Sequence, residues 1–486
     1  MNSKRGLLIL GISAIFALTS CSGLKTAVCT TNCTVSGNAT LNLTLSDTPP
    51  AGVGVISFTL PISGISLVPT TGSAVSVYSG GNFELTRLQS DSAAVAVGVS
   101  VPEGSYTAIK VTLGTSSGLF INASGGSITS LAGTCAANAV CPLPAGAATS
   151  ITFTFPSALT LSSNQKQWIG LDFNLNNAIT TANGITVDFG QANVLTATTT
   201  APLGITSGNV ANIDDFSGLV TASASNSITV KSGTRGTLTA AITSSTTFND
   251  PQNLCTGSSS VASCISANGK IVVSVQAALS TAGAINATEI DVLDTSGTDS
   301  IEGVIFPSTC NGGSNIGMIL SDSAVPSSNA TLTGLSYGAG LCLTVSPTAT
   351  FFVDTGFLPT GQLTAGFSGP NDILIGQVVR ADVSNVVAGS VVDATATNLL
   401  LRYSRLSGTV NVVTGNNFTI NGLPTYLGFT LSPLVATYAG STIFEGTTQG
   451  ISGLSNPLPV AIRALYLNPT TAQQGIPFLA TKVRLN

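Results

Sequence analysis

The feature that most constrains the fold of this chain is a two-residue alternation of apolar and polar side chains, which recurs from residue 39 onward. Period-two alternation is typical of half-buried strands that pack on a core from one side. Clusters of Gly, Pro, Asn and Ser separate the alternating stretches, and no long 3.6-residue period with helix caps is present. The sequence therefore predicts an all-β protein. The apolar positions of four such stretches are Leu41, Leu43, Leu45, Ile109, Val111, Leu113, Ile151, Phe153, Phe155, Ile169, Leu171, Phe173 and Leu175.

Charge is scarce in this chain. Only 7% of the residues are Asp, Glu, Lys or Arg, against about 25% in typical soluble proteins. We therefore expect a surface of Ser, Thr, Asn and Gly, which suits a secreted or wall-associated protein. The net charge is −5 and no basic cluster follows Lys4-Arg5, which argues against nucleic acid as a partner. Histidine is absent, which removes the commonest general base and the usual nitrogen ligand of zinc.

The first 20 residues indicate a secretory signal, with two basic residues, an apolar run from Gly6 to Leu18 and then small residues. The run is shorter than the roughly 20 residues that span a bilayer. Leu18-Thr19-Ser20-Cys21 resembles the bacterial lipobox. That resemblance implies that Cys21 receives a diacylglycerol and anchors the mature chain to a membrane, and Ser22 favours the outer membrane. The alternative is an ordinary secreted protein with an incidental Cys21.

The remaining cysteines are even in number and fall in neighbouring couples. In an oxidising compartment this pattern predicts four disulfides, although eight cysteines allow 105 connectivities. Metal sites built from cysteine are the rival interpretation, and they lack supporting histidines. The eight are Cys29, Cys33, Cys135, Cys141, Cys255, Cys264, Cys310 and Cys342.

Residues 21–38 are small and polar, and they predict a flexible tether that carries the lipidated cysteine. The next block, residues 39–200, opens with "ATLNLTLSDTPPAGVGVISFTLPISGISLVP" and continues with "FELTRL", "VPEGSYTAIKVTLG" and "QWIGLDFNL". These blocks resemble the lipoprotein family called domain of unknown function 4382. The resemblance implies an immunoglobulin-like or prealbumin-like β-sandwich with no established activity. Two departures are Thr48, where Ala is usual, and the insertion from Cys135 to Cys141.

The rest of the chain contains an internal repeat. "DFSGLVTASASNSITV", "SIEGVIF" and "RLSGTVNVVTGNNFTI" each place a glycine at a strand start, at Gly218, Gly303 and Gly408. Each glycine is followed, in the same order, by a Thr-rich block that contains Phe, an aliphatic strand and a closing strand. We therefore predict three β-barrel-like repeats over 211–298, 299–404 and 405–486. They are similar to the domain of unknown function 5666 family. One large irregular sandwich is the alternative.

Several acids are candidate metal ligands. Asp47 ends a strand before two prolines and could bind calcium at the rim of a sandwich, although turn capping explains it as well. "DVLDTSGTDSIE" has the length and the end residues of an EF-hand loop but lacks its third-position ligand and sixth-position glycine. We therefore expect an acidic linker with weak calcium affinity at most, and no other cofactor beyond the diacylglycerol. The weak candidates are Asp47, Asp291, Asp294, Asp299 and Glu302.

No catalytic motif emerges, and no local pattern pairs two carboxylates as glycoside hydrolysis requires. Asp172 is expected to face solvent or a neighbouring strand, and the lone tryptophan, Trp168, to pack in the core or at its rim. The sequence favours a lipid-anchored cell-envelope protein, either periplasmic or exposed on the surface. We expect it to act as a non-enzymatic binding or scaffold module for a protein or polysaccharide. The alternatives are a carboxylate-dependent hydrolase of envelope polysaccharide and a calcium-dependent adhesin.

Overall fold

Nearly all regular elements of the chain are β-strands, which confirms the all-β prediction. The computed structural model describes residues 37–486 apart from 51–53, 123–125, 131–132, 138, 181–183, 307–309, 311–314, 326–328 and 360–364. Residues 37–486 form one compact unit. Cys21, Cys29 and Cys33, and with them the predicted anchor and most of the predicted tether, lie outside the described residues. The last residue of the predicted tether, Asn38, already belongs to the first strand. The described part of the chain contains no helix with the length and hydropathy needed to span a bilayer.

The N-terminal part of the unit is a sandwich of short and long strands. One 3-10 helix, Leu85–Leu88, and one short α-helix, α1 (Leu175–Ala178), interrupt it. Its strands are β1 (Asn38–Thr48), β2 (Gly54–Pro69), β3 (Val75–Tyr78), β4 (Gly81–Glu84), β5 (Ala93–Pro102), β6 (Gly104–Leu113), β7 (Ser117–Ile121), β8 (Ile128–Ser130), β9 (Gly133–Cys135), β10 (Val140–Pro142), β11 (Thr149–Leu161), β12 (Lys166–Asn174), β13 (Ile179–Thr180), β14 (Thr186–Val187) and β15 (Leu195–Thr198).

Two sheets enclose the core of this sandwich. The first has the order β15-β12-β1-β5, with β1 and β12 parallel, and the second has the order β10-β7-β2-β6-β11, with β3 and β4 also paired to β2. The predicted apolar faces of β1, β6 and β12 are buried between them. Ile151 and Phe153 are only half-buried because β11 is the last strand of its sheet. Leu175 is buried as predicted, but it lies in α1 rather than in a strand.

Three further groups of strands follow the sandwich, and we call them the first, second and third segments. The first contains α2 (Val261–Cys264) and consists of β16 (Asn209–Ala224), β17 (Ser227–Lys231), β18 (Thr237–Ala241), β19 (Thr247–Asn249), β20 (Val272–Ser280) and β21 (Ile285–Asp294). The second contains α3 (Ala330–Thr333) and the 3-10 helix Pro370–Asp372, with β22 (Ser300–Phe306), β23 (Asn315–Val325), β24 (Gly340–Val353), β25 (Val378–Val387) and the first half of β26 (Val392–Thr414).

The third segment begins within β26. Its other strands are β27 (Asn417–Asn421), β28 (Leu434–Ala436), β29 (Ile443–Glu445), β30 (Pro459–Tyr466) and β31 (Phe478–Leu485). Three 3-10 helices connect them, at Thr425–Leu427, Gly450–Gly453 and Gln473–Gly475. The strand β26 is shared between two segments: its residues up to Arg402 pair with β25, and those from Tyr403 pair with β30.

The three segments have the same strand pairing. In each, the opening strand (β16, β22 or β26) pairs with the next strand and with a later one (β20, β25 or β30). The closing strand (β21, β26 or β31) runs antiparallel to that later strand and parallel to the middle strands. The order of pairing is thus the same in the three segments, but the described strands form several sheets and no closed barrel. In the first segment only Ala241 and Asn286 link β18 to β21, so this sheet is not continuously closed.

The repeated glycines occupy equivalent positions in this pattern. A Cβ at Gly218, Gly303 or Gly408 would overlap a backbone carbonyl oxygen of the strand that follows it, in β17, β23 and β27 respectively. The opening strand is therefore close to its neighbour at one point in each segment, and only glycine leaves the necessary room there. The three segments share these features, while the repeats and their boundaries stay a prediction.

Three disulfides join neighbouring cysteines within the described residues. They connect Cys135 to Cys141, Cys255 to Cys264 and Cys310 to Cys342, with Cα–Cα distances of 5.9, 5.6 and 5.7 Å. The first lies in the insertion of the sandwich, the second closes the loop around α2, and the third ties the loop after β22 to β24. Disulfide bonding is thus confirmed for these six cysteines.

Candidate functional site: a buried ion-pair network and an uncharged cleft

Many of the few charged side chains lie inside the protein. They form two neighbouring groups, together called the ion-pair network, where the sandwich meets the three segments. One group is centred on Asp214 and Asp215 and the other on Asp91. The Arg402 and Lys482 side chains are both 0% exposed, although such residues are almost never fully buried unless they are paired. The network consists of Arg87, Arg235, Arg402, Arg405, Arg463, Lys482, Asp91, Asp214, Asp215, Asp291, Glu302, Asp322, Asp354 and Glu445.

Arg87 connects the sandwich to two segments. It lies in the 3-10 helix Leu85–Leu88, and its Nε donates to Asp214 Oδ2 at 2.9 Å. Its Nη2 donates to Asp215 Oδ1 at 3.1 Å and its Nη1 to Glu302 Oε1 at 3.2 Å. Because Asp214 and Asp215 belong to β16 and Glu302 to β22, one guanidinium joins three parts of the fold.

Arg402 plays the same role between the first and second segments. Its Nη2 donates to Asp215 Oδ2 at 3.0 Å and to Ser274 Oγ at 2.8 Å. Its Nη1 contacts Asp291 at 3.4 Å and also pairs with Asp354. Arg405, in the half of β26 that belongs to the third segment, pairs with both Asp214 and Asp215. All three segments therefore converge on the two acids of β16.

Asp91 anchors the sandwich to the third segment. Arg463 Nη1 donates to Asp91 Oδ2 at 3.3 Å, and Lys482 Nζ donates to Asp91 Oδ1 at 3.2 Å. Lys482 also lies 2.7 Å from Glu445 Oε2. Burial alone would raise the pKa of Asp91, but the charges of Arg463 and Lys482 outweigh it and hold that pKa below the usual range. Asp91 is therefore ionised at neutral pH.

One buried carboxyl beside the network has an uncommon titration. Burial raises the pKa of Glu289 to about 7, and the nearby charge of Asp354 adds to the rise. The Glu289 Oε1 atom is buried and forms no hydrogen bond within the described residues. A carboxyl in this state exchanges a proton near neutral pH, so the stability of this region is expected to respond to pH.

A large cleft opens between the sandwich and the third segment. Its volume is about 1200 Å³, and the described residues that line it include no Asp, Glu, Lys or Arg. Pro49, Gly54 and Thr129 contribute from the sandwich, and Thr425 and Tyr426 from the third segment. Burial raises the pKa of Tyr426 to about 12, so its phenol stays neutral. The cleft offers hydroxyl, amide and apolar groups to a ligand.

A second, smaller pocket of about 130 Å³ does contain charge. Trp168, Asp172, Glu445 and Arg484 line it, and Arg484 lies 3.6 Å from Asp172 and 3.7 Å from Glu445. Asp172 also accepts hydrogen bonds from Ser46 and Thr48 at 2.9 and 2.8 Å. The Asp172 side chain is 20% exposed. The pocket therefore contains two carboxylates, Asp172 and Glu445, that share the Arg484 guanidinium, and Asp172 is partly open to solvent.

The structure places the predicted calcium candidates apart from any open site. Asp47 is fully buried, accepts a bond from Leu175 N at 3.3 Å, and has a pKa that burial raises well above its usual range. Asp294 accepts from Ser296 N and Thr298 N, which makes it a turn-forming residue.

The two ends of the EF-hand-length stretch do meet, but around an arginine. Arg402 lies 3.4 Å from Asp291 and 3.5 Å from Glu302. The two acids lie in β21 and β22, so much of the predicted linker is strand. Asp299 precedes β22 and its backbone carbonyl accepts from Val383 N at 2.8 Å. The described residues contain no group of three or more His, Cys, Asp or Glu side chains placed to hold a metal ion.

Sequence reasoning missed the ion-pair network. The available signal was the position of charged residues inside otherwise apolar strands, as in "NLLLRY", "VAIRALYL" and "ATKVRLN". The expected packing of Trp168 in the core or at its rim agrees with its position. It is 8% exposed, packs with the apolar core of the first segment, and donates from Nε1 to Thr44 Oγ1 at 3.1 Å.

Comparison with known proteins identifies one part of the chain. No curated protein matches it. Residues 38–201 match the model of the family described as Domain of unknown function (DUF4382), which confirms the resemblance seen in the sequence. The N-terminal sandwich is thus similar to this family from its first strand to its last, and the match ends before β16 begins.

Proposed function

We propose that this chain is a lipid-anchored protein of the cell envelope, held in the outer membrane through Cys21, and that it acts as a non-enzymatic binding or scaffold module. The leader with its lipobox-like end supports the anchor. Disulfides persist in oxidising compartments outside the cytoplasm, and three are present among the described residues. The second part of the proposal is that the three segments are copies of one module similar to the domain of unknown function 5666 family.

The observation that carries the scaffold role is the ion-pair network. Taking a charge out of water costs several kcal/mol unless its partners are in place, so a buried network favours one relative arrangement of its parts. Here the network joins the sandwich to all three segments through Arg87, Asp91 and Arg402. A fixed arrangement of β-modules provides a rigid surface for a partner. With many charged side chains paired in the interior, the proposed partner is recognised by uncharged groups.

The anchor is tested by mass spectrometry of the protein purified from native membranes. We expect an N-terminal fragment that begins at Cys21 and carries acyl chains. The Cys21→Ser variant is expected to leave the membrane fraction and to keep its fold. An unmodified wild-type fragment that begins at another residue would contradict the anchor.

The binding role is tested by cross-linking on native membranes followed by identification of the captured partner. We expect saturable capture by the wild type and loss of capture by Arg87→Met, which breaks the network without touching the surface. Lys110→Met, on an exposed position of β6, is the matched control. Equal capture by all three proteins would show that the fixed arrangement has no role in binding.

One observation favours the hydrolase as a second candidate. Asp172 and Glu445 share a pocket with Trp168 and are bridged by Arg484. Paired carboxylates across a pocket are what glycoside hydrolysis uses. If purified protein cleaves envelope polysaccharide and both Asp172→Asn and Glu445→Gln abolish the cleavage, the non-enzymatic proposal is wrong.

A further inference from the structure

The cleft between the sandwich and the third segment differs from the rest of the interior. The parts that form its two walls are bridged elsewhere by the buried charges Asp91, Arg463 and Lys482, whereas the side chains that line the cleft itself are uncharged. At about 1200 Å³ it exceeds the roughly 300–1000 Å³ of ordinary ligand pockets. Both walls are therefore held in place, while the space between them stays open.

The lining gives the chemical class of the occupant. No described lining side chain offers a charge to pair with phosphate, sulfate, carboxylate or ammonium. Apolar contacts come from Pro49 and Ile185 on the sandwich and from Leu423 and Pro424 on the third segment. Behind the cleft, Tyr426 packs with the buried Ile56 and Ile121.

Hydroxyl and amide side chains are interspersed with the apolar groups of the cleft, and at least one of them is already engaged. Asn122 Nδ2 donates to Gly126 O at 2.7 Å and to Cys135 O at 2.9 Å. A sugar ligand would need a dense set of hydrogen-bonding side chains and aromatic faces, and Phe120 is only 1% exposed. The larger part of the exposed lining is apolar, as in ordinary ligand sites, and this favours a mainly apolar ligand.

We infer that the cleft binds an uncharged, predominantly hydrocarbon ligand such as the acyl chain of a neutral lipid. This inference deepens the proposed binding role and rests on it, since it names the site and the ligand class. It does not depend on the anchor. An apolar chain in the cleft would contact both the sandwich and the third segment, so it would also stabilise their junction.

The test uses the full chain with Cys21→Ser, which removes the acylation site and the need for detergent. The probe is N-phenyl-1-naphthylamine, a neutral apolar fluorophore, with hexadecanol, hexadecanoate and maltohexaose as competitors. We expect saturable binding with a Kd on the order of micromolar. Hexadecanol should displace the probe far better than hexadecanoate, and maltohexaose should not displace it.

Two blocking variants introduce bulk from opposite walls at exposed positions, Thr129→Trp and Thr425→Trp. Each should weaken probe binding about tenfold or more. Thr200→Trp, on an exposed loop outside the cleft, is the matched control and should bind as the parent does. Near-ultraviolet circular dichroism of each variant shows whether the fold is intact.

Absent binding, or binding that Thr129→Trp and Thr425→Trp leave unchanged in folded protein, would overturn the assignment of the cleft. Displacement by maltohexaose in place of hexadecanol would overturn the ligand class. If either occurs while cross-linking still captures an envelope partner, the proposed function stands and only this inference is wrong.

Discussion

Arg87 Nε donates to Asp214 Oδ2 at 2.9 Å, and this contact joins residues that are 127 positions apart in sequence. Arg87 belongs to the part of the chain that matches the DUF4382 family, and Asp214 lies beyond it in β16. The Arg87 side chain is 4% exposed and that of Asp214 is 0% exposed. The domain that matches this family therefore buries the positive charge of Arg87, and the carboxylate that neutralises this charge comes from the following segment.

This dependence predicts that Arg87→Met strongly destabilises the protein. The substitution leaves Asp214, Asp215 and Glu302 without one of their cationic partners, and breaking a buried pair in this way costs about 3–5 kcal/mol. The free energy of unfolding in urea measures it. Lys110→Met, which removes an exposed charge from β6, should change that free energy by less than about 0.5 kcal/mol. Similar losses for both variants would show that the network does not stabilise the fold.

Glu289 predicts how stability depends on pH. The pKa of an unperturbed glutamate is about 4.3, and in the folded chain that of Glu289 is about 7. Between these values the folded chain binds more protons than the unfolded chain, so the free energy of unfolding falls as pH rises through this window. Above pH 7 the free energy of unfolding no longer changes through Glu289, because this residue is ionised in both states. Glu289→Gln should remove this contribution and stabilise the protein at pH 8 by on the order of 4 kcal/mol.

The control for this prediction is Asp393→Asn, which makes the same acid-to-amide change at an exposed position of β26. Thermal unfolding of the three proteins at pH 5 and pH 8 gives the comparison. We expect Glu289→Gln to stabilise selectively at pH 8, and Asp393→Asn to change the free energy of unfolding by less than about 0.5 kcal/mol. A parallel pH dependence for Glu289→Gln and the wild type would contradict the assignment.

The strands could be predicted from the sequence because their signal is local. Leu41, Leu43 and Leu45 alternate with polar residues, and all three are buried. Ile151 and Phe153 pack against the same core but are only half-buried, and the alternation does not reveal that β11 ends its sheet. Alternation reports which face of a strand is apolar, whereas its place in the sheet decides how much of that face is covered.

The partners within the network could not be predicted because its contacts join strands that are distant in sequence. Arg402 contacts Asp215 across 187 positions and Asp291 across 111. A spacing motif can detect ligands within one loop, as in the search for a calcium site between Asp291 and Glu302. That search found two acids that do converge, but the cation between them comes from β26, which the local pattern could not reveal.

The disulfides are predicted to contribute to stability according to the length of chain that each closes. Cys310 and Cys342 are 32 positions apart, whereas Cys135 and Cys141 are 6 apart. On the chain-entropy model the longer loop contributes about 4 kcal/mol and the shorter about 2 kcal/mol. Replacing both cysteines of a pair by serine should reproduce this order in urea unfolding. In reductant the variants and the wild type should converge, and an inverted order without reductant would contradict the model.

The equivalent glycines give a direct test of the repeats. A Cβ at Gly218, Gly303 or Gly408 would overlap a carbonyl oxygen of the neighbouring strand, which is backbone and cannot rotate away. Gly→Ala at each of the three positions should therefore cost about 1–3 kcal/mol of unfolding free energy. Gly340→Ala, in β24, is the matched control, because a Cβ there meets nothing within 4 Å.

If the segments are copies of one module, the three losses should be similar, since each arises from the same approach of the opening strand to its neighbour. Urea unfolding of the four variants, measured against the wild type, provides the comparison. A loss confined to one glycine, or an equal loss for Gly340→Ala, would mean that the close approach is not a shared structural requirement. The three segments would then share only their order of strand pairing, and the proposal that they are three copies of one module would fail.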